Sequence, residues 1–95
     1  MDNKADHLFY VLECKDGSYY AGYTNNLDKR VRMHNEGKGA KYTRAKRPVQ
    51  CIYHEGFETK REAMQAEYRF KQLTRNAKER YMEEGRKLDE VTKEC

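Results

Sequence analysis

A strand, a tight turn, a second strand and a short helix are indicated between residues 7 and 34, and this unit constrains the fold more than any other stretch. The first strand is an apolar run of five residues centred on Tyr10, with the aromatic and β-branched side chains that strands favour. Asp16 and Gly17 then supply the residue types that a hairpin turn requires. Tyr20 follows on the second strand, so the two tyrosines are expected on paired strands.

After the second strand the apolar residues change to helical spacing, which predicts a helix over residues 26–36. Leu27 and Val31 lie on its apolar side. Either of the asparagines just before Leu27 is a suitable N-cap, and Gly37 is a suitable stop. The helix is therefore expected to leave the sheet just beyond the second strand.

This helix carries Arg30 and His34 four residues apart, which puts both side chains on one face, directed toward the strand ends. Together with Tyr10 and Tyr20 they form a candidate phosphodiester site, because phosphate is bound by fork-shaped donors and hydrolysis needs a proton acceptor. The same residue types also occur as half-buried sheet tyrosines and solvated helix arginines. The segment by itself leaves both interpretations open.

These residues resemble the motifs of the GIY-YIG nuclease superfamily. Leu-Phe-Tyr, ending at Tyr10, corresponds to the first motif, Gly-Ile-Tyr, and Tyr-Ala-Gly, ending at Gly22, corresponds to the second, Tyr-Ile-Gly. Arg30 and His34 follow at the spacing of the family. The tyrosines and Gly22 are kept, whereas the neighbouring motif residues are replaced.

Two later segments, 37–44 and 66–74, resemble the small stand-alone bacterial YhbQ/YazA-like group (UPF0213) of that superfamily. The resemblance covers residues 7–83, and five elements occur in the expected order. It implies a divalent-metal-dependent DNA endonuclease, or a protein descended from one.

The resemblance also implies a role for each matching residue. Tyr20 would act as general base on the attacking water, and Tyr10 would orient the water or the phosphate. Arg30 would neutralise charge on the scissile phosphate, and His34 would assist proton transfer or bond to the nucleophile's network. Glu67 would hold one Mg²⁺ or Mn²⁺ ion that stabilises the leaving oxygen. A phenol has a reference pKa of about 10, so it serves as a base only where neighbouring cations favour its ionised form.

Glu67 also stands out without the resemblance. A capping box formed by Thr59 and Glu62 predicts a helix over residues 60–73, and Glu67 lies on the apolar stripe of that helix. A carboxylate on the buried side is costly unless it is paired. Either a basic residue such as Arg30 or a metal ion is expected beside it.

Residues 37–48 contain two glycines, a proline and no apolar periodicity, and are predicted to form a long loop. The loop holds five basic residues and a tyrosine but no acidic residue. It is predicted to bind a nucleic-acid backbone, although a solvated basic loop is the alternative. The residues concerned are Lys38, Lys41, Tyr42, Arg44, Lys46 and Arg47.

The composition predicts a cytoplasmic protein with no membrane association. No apolar run approaches the ~20 residues that cross a bilayer, and no leader pattern is present at the start. Three cysteines, Cys14, Cys51 and Cys95, are far apart and include no C-x-x-C pair. Neither a disulfide framework nor a zinc site is expected.

The 95 residues predict one α+β domain over residues 7–84, after a disordered N-terminus at 1–6 and before a charged tail at 85–95. A small, mainly antiparallel three-stranded sheet is expected, flanked by helices. Its strands are segments 7–14, 19–24 and 49–57, in that order, and the helices span 26–36, 60–73 and 75–84. Within the third strand, Cys51 and Tyr53 are expected on one face and Ile52 on the other.

Two other functions fit the same sequence. A nucleic-acid-binding module without catalysis would use the basic loop, with DNA favoured over RNA, and a protein partner could supply specificity to so small a domain. A scaffold for an acidic protein partner fits the net charge of +4 but does not explain Glu67.

Overall fold

The computed structural model describes the backbone of residues 6–94 and the side chains of residues 6–87. It confirms the predicted α+β class, with an antiparallel three-stranded sheet flanked by helices. The elements are β1 (His7–Glu13), β2 (Tyr19–Thr24), α1 (Leu27–Asn35), α2 (Lys41–Arg44), β3 (Gln50–Phe57), α3 (Lys60–Lys71) and α4 (Arg75–Glu94). The expectations for residues 1–5 and for Cys95 lie outside the described residues.

The strand order in the sheet is β2-β1-β3, not the chain order that was predicted. β1 is central, and its residues 9–12 are fully buried. A continuous apolar run of this kind is suited to a strand that is covered on both faces, and at the edge it would expose apolar surface. The central position therefore follows from burial rather than from chain order.

Helices cover both faces of the sheet and create two apolar clusters. Phe9 and Val11 point to one face, where they pack with side chains of α3 and α4 such as Phe70 and Met82. Tyr10 and Leu12 point to the other face, which α1 covers with the two apolar residues predicted to do so, Leu27 and Val31. Alternation along β1 thus places Tyr10 on the α1 side of the sheet.

A bulge in β3 overturns one prediction about side-chain direction. Val11 pairs with Tyr53, whereas the next residue, Leu12, pairs with Cys51, so Ile52 is an extra residue on β3. Tyr53 packs in the cluster around Phe9, and Cys51 packs in the cluster on the opposite face. The strict alternation that put Cys51 and Tyr53 on one face fails because a bulge shifts the phase by one residue.

Helix α4 runs to Glu94 rather than ending near residue 84. Gly85 lies inside it, and the space that a Cβ would need there is taken by the Tyr53 ring. The guanidinium of the next residue, Arg86, donates a hydrogen bond of 2.7 Å to the carbonyl of Ile52. Contacts with β3 therefore hold α4 beyond the point where the charged tail was expected to begin.

Among the described residues, no helix combines the length and the apolar character that a bilayer span requires.

Candidate functional site

Tyr10 is the centre of the site. It pairs across the sheet with Gly22 of β2, and its side chain is fully buried. A Cβ at Gly22 would lie 2.5 Å from the Tyr10 hydroxyl, well inside the van der Waals distance. Glycine at this position therefore lets the phenol lie flat over β2, which brings its hydroxyl toward the edge of the sheet.

The helix that carries Arg30 and His34 begins and ends as predicted. The Asn26 side chain caps α1 by accepting a hydrogen bond of 3.2 Å from the Lys29 amide. Gly37 follows the helix with φ +82°, a left-handed conformation that glycine adopts without strain. Leu27 and Val31 pack against the sheet from the same helix, and His34, three residues after Val31, is fully buried with them.

His34 contacts Tyr10 on one side and Thr43 on the other. Its Nε2 atom lies 3.0 Å from the Tyr10 hydroxyl, and its Nδ1 atom lies 2.8 Å from the Thr43 hydroxyl. Thr43 in turn donates a hydrogen bond of 3.0 Å to the carbonyl of Ala40. Gly39 is close to the imidazole, and a side chain there would overlap the ring. The predicted site residue His34 is thus part of a buried hydrogen-bonded chain.

Thr43 was not among the predicted site residues. Residues 37–48 are not wholly a loop as predicted, because the helical turn α2 lies within them and Thr43 is fully buried in that turn. Its burial results from contact with His34, nine residues away and on another helix, and no local apolar pattern signals such a contact. The close approach of Gly39 to the same ring was likewise not predictable from spacing.

Tyr20 and Arg30 are only partly buried. The Tyr20 ring meets the His34 ring edge to face, with 5.3 Å between ring centroids. The Nε atom of Arg30 is buried and has no hydrogen-bond partner within the part of the chain that the structure describes. A buried donor without a partner costs about 1–3 kcal/mol, so its presence at this place calls for a ligand atom.

The pKa of Tyr10 responds to three of the other predicted site residues. Burial raises this pKa to about 12, although a hydrogen bond with the Arg30 guanidinium opposes the rise. The charges that Tyr20 and Glu67 carry when ionised also raise it. Residues from β1, β2, α1 and α3 therefore act on one hydroxyl group, and that hydroxyl is protonated at neutral pH.

His34 is neutral in the folded protein under the same conditions. Burial lowers its pKa from the ordinary value, and the positive charge of Arg30 lowers it further. A neutral imidazole has one donor and one acceptor nitrogen, which suits a position between two hydroxyl groups.

Glu67 lies on the buried side of α3, as the apolar stripe predicted. Its side chain is 17% exposed, and its Oε2 atom lies 2.8 Å from the Nζ atom of Lys71, one turn further along the helix. Of the two expected kinds of partner, the structure thus provides a basic residue, and that residue is Lys71 rather than Arg30. This ion pair lies within one turn of α3, so it forms without a contribution from Arg30 on α1.

The donor set for a divalent cation is small. No group of three or more histidine, cysteine, aspartate or glutamate side chains suited to a metal occurs among the described residues. Glu67 is the carboxylate whose charge acts on the Tyr10 hydroxyl. One carboxylate fits Mg²⁺, which keeps several waters and takes further oxygens from a substrate phosphate. It does not fit a cation that needs a complete cage of protein ligands.

Several residues of the predicted basic loop are engaged within the protein. The Lys46 ammonium lies 3.3 Å from a carboxylate oxygen of Asp16 and 3.9 Å from the centre of the Tyr42 ring. The Tyr42 ring is stacked on Tyr20 with 6.0 Å between centroids. Hydrogen bonds with Ser18 and Lys46 lower the pKa of Tyr42. Tyr42 therefore supports the Tyr20 ring and is itself covered in part by Lys46.

Arg47 and Lys38 also make contacts at helix ends. The Nε atom of Arg47 donates a hydrogen bond of 2.7 Å to the carbonyl of Arg44, and one Nη atom lies 3.5 Å from the carbonyl of Asn35. Lys38 lies 3.8 Å from the Glu36 carboxylate. Lys38, Lys41, Arg44 and Arg47 are all exposed, and Arg47 differs from the others because it also binds carbonyls at the ends of two helices.

A cleft of about 200 Å³ runs along the edge of β2 beside the site. Tyr20 and Tyr42 line it together with Lys71 and Lys78. The cleft thus joins the two tyrosines to positive side chains at the junction of α3 and α4, and α2 adds the exposed Lys41 and Arg44 next to Tyr42 in the chain.

Comparison with known families gives one match over most of the chain. The model of the family described as the GIY-YIG catalytic domain matches residues 6–81. A UPF0213 protein of Bacillus velezensis is 70% identical over 85 residues, which cover 90% of this chain and 86% of that protein. The UPF0213 protein YazA of Bacillus subtilis is 65% identical over 86 residues, which cover 90% of this chain and 87% of that protein.

Two solved structures are similar in both sequence and fold. A solution NMR structure of an E. faecalis protein has a TM-score of 0.62 and 51% identity, covering 90% of this chain and 92% of that chain. A solution NMR structure of a UPF0213 protein from Bacillus halodurans has a TM-score of 0.52 and 49% identity, covering 79% of this chain and 80% of that chain.

Proposed function

The chain belongs to the GIY-YIG family, and we propose that it is a divalent-metal-dependent endonuclease that hydrolyses phosphodiester bonds in DNA. The observation that carries the proposal is the Nε atom of Arg30, a buried donor without a partner among the described residues. A phosphate oxygen is the natural acceptor for such a donor, since guanidinium groups bind phosphate through several parallel hydrogen bonds. Tyr20 and Glu67 act on the same Tyr10 hydroxyl as Arg30 does, which supports a site where a phosphate would meet a phenol and a carboxylate.

The burial of the site residues divides their roles in this proposal. Tyr20, Arg30 and Glu67 are partly accessible, and they contact the substrate. Tyr20 accepts the proton of the attacking water, and Arg30 stabilises the charge that develops on the phosphate. Tyr10 and His34 are fully buried, so they act by holding Arg30 and Tyr20 in place. They are positioning residues rather than groups that touch the water.

Glu67 is the residue that would hold a divalent cation. The chemistry that such an ion supplies when bound is positive charge near the leaving oxygen. Until then the carboxylate is neutralised by Lys71, at 2.8 Å. A site made of one carboxylate, water and phosphate oxygens is completed by the substrate, which agrees with the small donor set of the protein.

The basic side chains beside Tyr20 provide the path for the nucleic acid. Lys41 and Arg44 are exposed on α2, and Lys71 and Lys78 line the cleft. A backbone that crosses Tyr20 would contact both groups, which supports phosphate binding that does not depend on base sequence. In this proposal the polymer is DNA, and a protein partner supplies sequence or structure specificity.

A second candidate function is nucleic-acid binding without catalysis. The ion pair between Glu67 and Lys71 favours it, because that pair satisfies the carboxylate without a metal. Tyr10 and His34 would then be buried residues that stabilise the sheet. This function does not account for the buried Nε of Arg30 beside Tyr20, and for that reason we place it second.

The test is the nicking of supercoiled plasmid in Mg²⁺ or Mn²⁺ by the native protein and by Tyr20→Phe and Glu67→Ala. Matched controls are Tyr68→Phe and Glu83→Ala, which alter the same residue types at exposed positions. Circular dichroism confirms the folding of each variant. We expect nicking by the native protein and by both controls, and its loss in both site variants.

Two outcomes contradict the proposal. Salt-sensitive DNA binding without metal-dependent nicking by the native protein would support the binding module. Retained nicking by folded Glu67→Ala would remove the metal-ligand assignment.

A further inference from the structure

Three buried polar groups form a continuous chain behind Tyr20. The Tyr10 hydroxyl lies 3.0 Å from Nε2 of His34, and Nδ1 of His34 lies 2.8 Å from the Thr43 hydroxyl. The Thr43 hydroxyl lies 3.0 Å from the carbonyl oxygen of Ala40. The side chains of Tyr10, His34 and Thr43 are all 0% exposed, so bulk water offers them no alternative partners.

Proton counting gives this chain one direction. The Ala40 carbonyl can only accept, so the Thr43 hydroxyl donates to it and keeps its lone pairs for His34. Nδ1 of His34 is then the nitrogen that carries the hydrogen, and Nε2 carries the lone pair. Nε2 accepts the hydrogen of the Tyr10 hydroxyl, and every polar hydrogen in the chain has an acceptor.

The reverse direction fails at Tyr10. If Nε2 of His34 carried the hydrogen, it would donate to the Tyr10 oxygen, and the hydroxyl hydrogen of Tyr10 would need another acceptor. The other group that hydrogen-bonds to this hydroxyl is the Arg30 guanidinium, which can only donate, and the Glu67 carboxylate acts on it through charge and not through a hydrogen bond. Within the described residues the hydroxyl hydrogen would thus be buried without a partner, at a cost of about 1–3 kcal/mol.

We infer that Thr43 is a positioning residue that holds His34 in the Nδ1–H tautomer, so that Tyr10 donates to His34 and turns its free lone pairs toward Arg30. The Tyr10 oxygen then accepts from the guanidinium and fixes the direction in which Arg30 presents its other donors. Thr43 therefore sets the orientation of Arg30, the phosphate-binding residue of the proposal, through two intervening side chains, those of His34 and Tyr10. The catalytic part of this inference rests on the proposed function, whereas the tautomer does not.

The local chain supports this role for Thr43. A Cβ at position 39 would overlap the imidazole, so only glycine allows the backbone at this position to lie directly against the ring. Thr43 follows at the turn α2, which directs its hydroxyl toward both Nδ1 of His34 and the carbonyl of Ala40. The imidazole is clamped between this segment and Tyr10.

The direct test is a long-range ¹H–¹⁵N correlation spectrum of the histidine rings at neutral pH. We expect the His34 ring to show a protonated Nδ1 and an unprotonated Nε2, with the exposed His54 as an internal reference. A native protein whose His34 has its hydrogen on Nε2 would overturn the inference, whatever its activity.

Two variants distinguish the effect of the Thr43 hydroxyl from the effect of the shape of the Thr43 side chain. Thr43→Val keeps the branched form without a donor or acceptor at Oγ1, and we expect His34 to lose the pure Nδ1–H tautomer. Thr43→Ser keeps the hydroxyl, and we expect it to keep the native ring spectrum. An unchanged His34 spectrum in folded Thr43→Val, or a lost tautomer in folded Thr43→Ser, would contradict the inference. If Thr43→Val does not fold, the native and Thr43→Ser spectra still decide.

Catalysis provides a second readout. If the protein nicks DNA as proposed, Thr43→Val should reduce kcat about tenfold with KM unchanged, which corresponds to about 1.4 kcal/mol of transition-state stabilisation. Thr43→Ser should restore most of the rate. If the native protein has no nicking activity, the proposed function fails while the ring spectra still test the tautomer. An altered tautomer without a change in kcat would contradict the catalytic part alone.

Discussion

Glu67 and Lys71 form an ion pair within one turn of α3, with 2.8 Å between Oε2 and Nζ. The lysine is half exposed, whereas the carboxylate is largely buried beside Tyr10. Any cation that binds Glu67 must therefore share the carboxylate with Lys71 or displace it. Lys71 therefore competes with a metal ion for the Glu67 carboxylate.

Removal of that competitor should strengthen metal binding. We expect Lys71→Gln to raise the affinity for Mn²⁺ about fivefold, because one positive charge about 4 Å away is worth about 1 kcal/mol in water. Isothermal titration calorimetry measures the affinity, and Lys87→Gln, at an exposed position on α4, is the control. Equal Mn²⁺ affinity in the native protein, Lys71→Gln and Glu67→Ala would show that Glu67 is not the ligand.

Gly22 should not tolerate a side chain. A Cβ at this position would lie 2.5 Å from the Tyr10 hydroxyl and 2.7 Å from the ring carbon that bears it. We expect Gly22→Ala to lower the free energy of unfolding by about 1–3 kcal/mol, since a buried phenol in a packed core has little room to move. Urea denaturation measures the change, and an unchanged midpoint would mean that the phenol has space that the structure does not show.

His34 should make stability depend on pH. Its folded-state pKa is lowered, first by burial and then by Arg30, so below its ordinary pKa of about 6.5 the unfolded chain binds a proton that the folded protein resists. The free energy of unfolding should therefore fall as the pH decreases below about 6.5. His34→Gln should show a flatter profile, and His54→Gln, at an exposed position, should keep the native one. Parallel profiles for the native protein and His34→Gln would contradict the prediction.

Tyr10 should act in the opposite direction at high pH. Burial raises its pKa to about 12, so its contribution to stability is complete below pH ~10 and is lost as the pH rises toward 12. The Tyr10→Phe variant should lose this dependence, whereas Tyr68→Phe, at an exposed position, should keep it. Urea denaturation between pH 9 and pH 11 measures the difference. A Tyr10→Phe profile that declines as steeply as the native one would exclude Tyr10 as the cause.

Substitutions of Arg44 and Arg47 in the basic loop should affect different properties, DNA affinity in one case and stability in the other. Arg44 is exposed, so Arg44→Gln should weaken DNA binding and reduce the slope of log affinity against log salt by about one. Arg47 binds carbonyls at the ends of α1 and α2, so Arg47→Gln should instead lower the free energy of unfolding by about 1 kcal/mol. Fluorescence anisotropy at several salt concentrations and urea denaturation separate the two effects. Equal effects of both variants on both measurements would contradict this division.

Much of the local structure could be predicted from the sequence. The hairpin turn at Gly17, the N-cap at Asn26 and the stop at Gly37 were all expected, and each occurs in the structure. The burial of Glu67 also followed from the apolar stripe of its helix. Such features depend on residues within a few positions of one another, because turn chemistry, capping and helical period act over one or two turns of chain.

The GIY-YIG family could also be predicted, because its motifs consist of short groups of residues at regular spacing. The match over residues 6–81 confirms it. The roles of Tyr10, Tyr20, Arg30 and Glu67 stay predictions, although the last three all influence the pKa of the Tyr10 hydroxyl.

The tertiary structure decided the features that join distant parts of the chain. The central place of β1, the bulge that separates Cys51 from Tyr53 and the burial of Thr43 against His34 have no local signal. Each of them depends on which surfaces and charges meet when the segments pack, and that is settled by burial of apolar area and by pairing of buried polar groups over the whole domain. The sequence by itself determined which side chains are available to the site, and packing determined which of them are buried as supports and which remain open to a substrate.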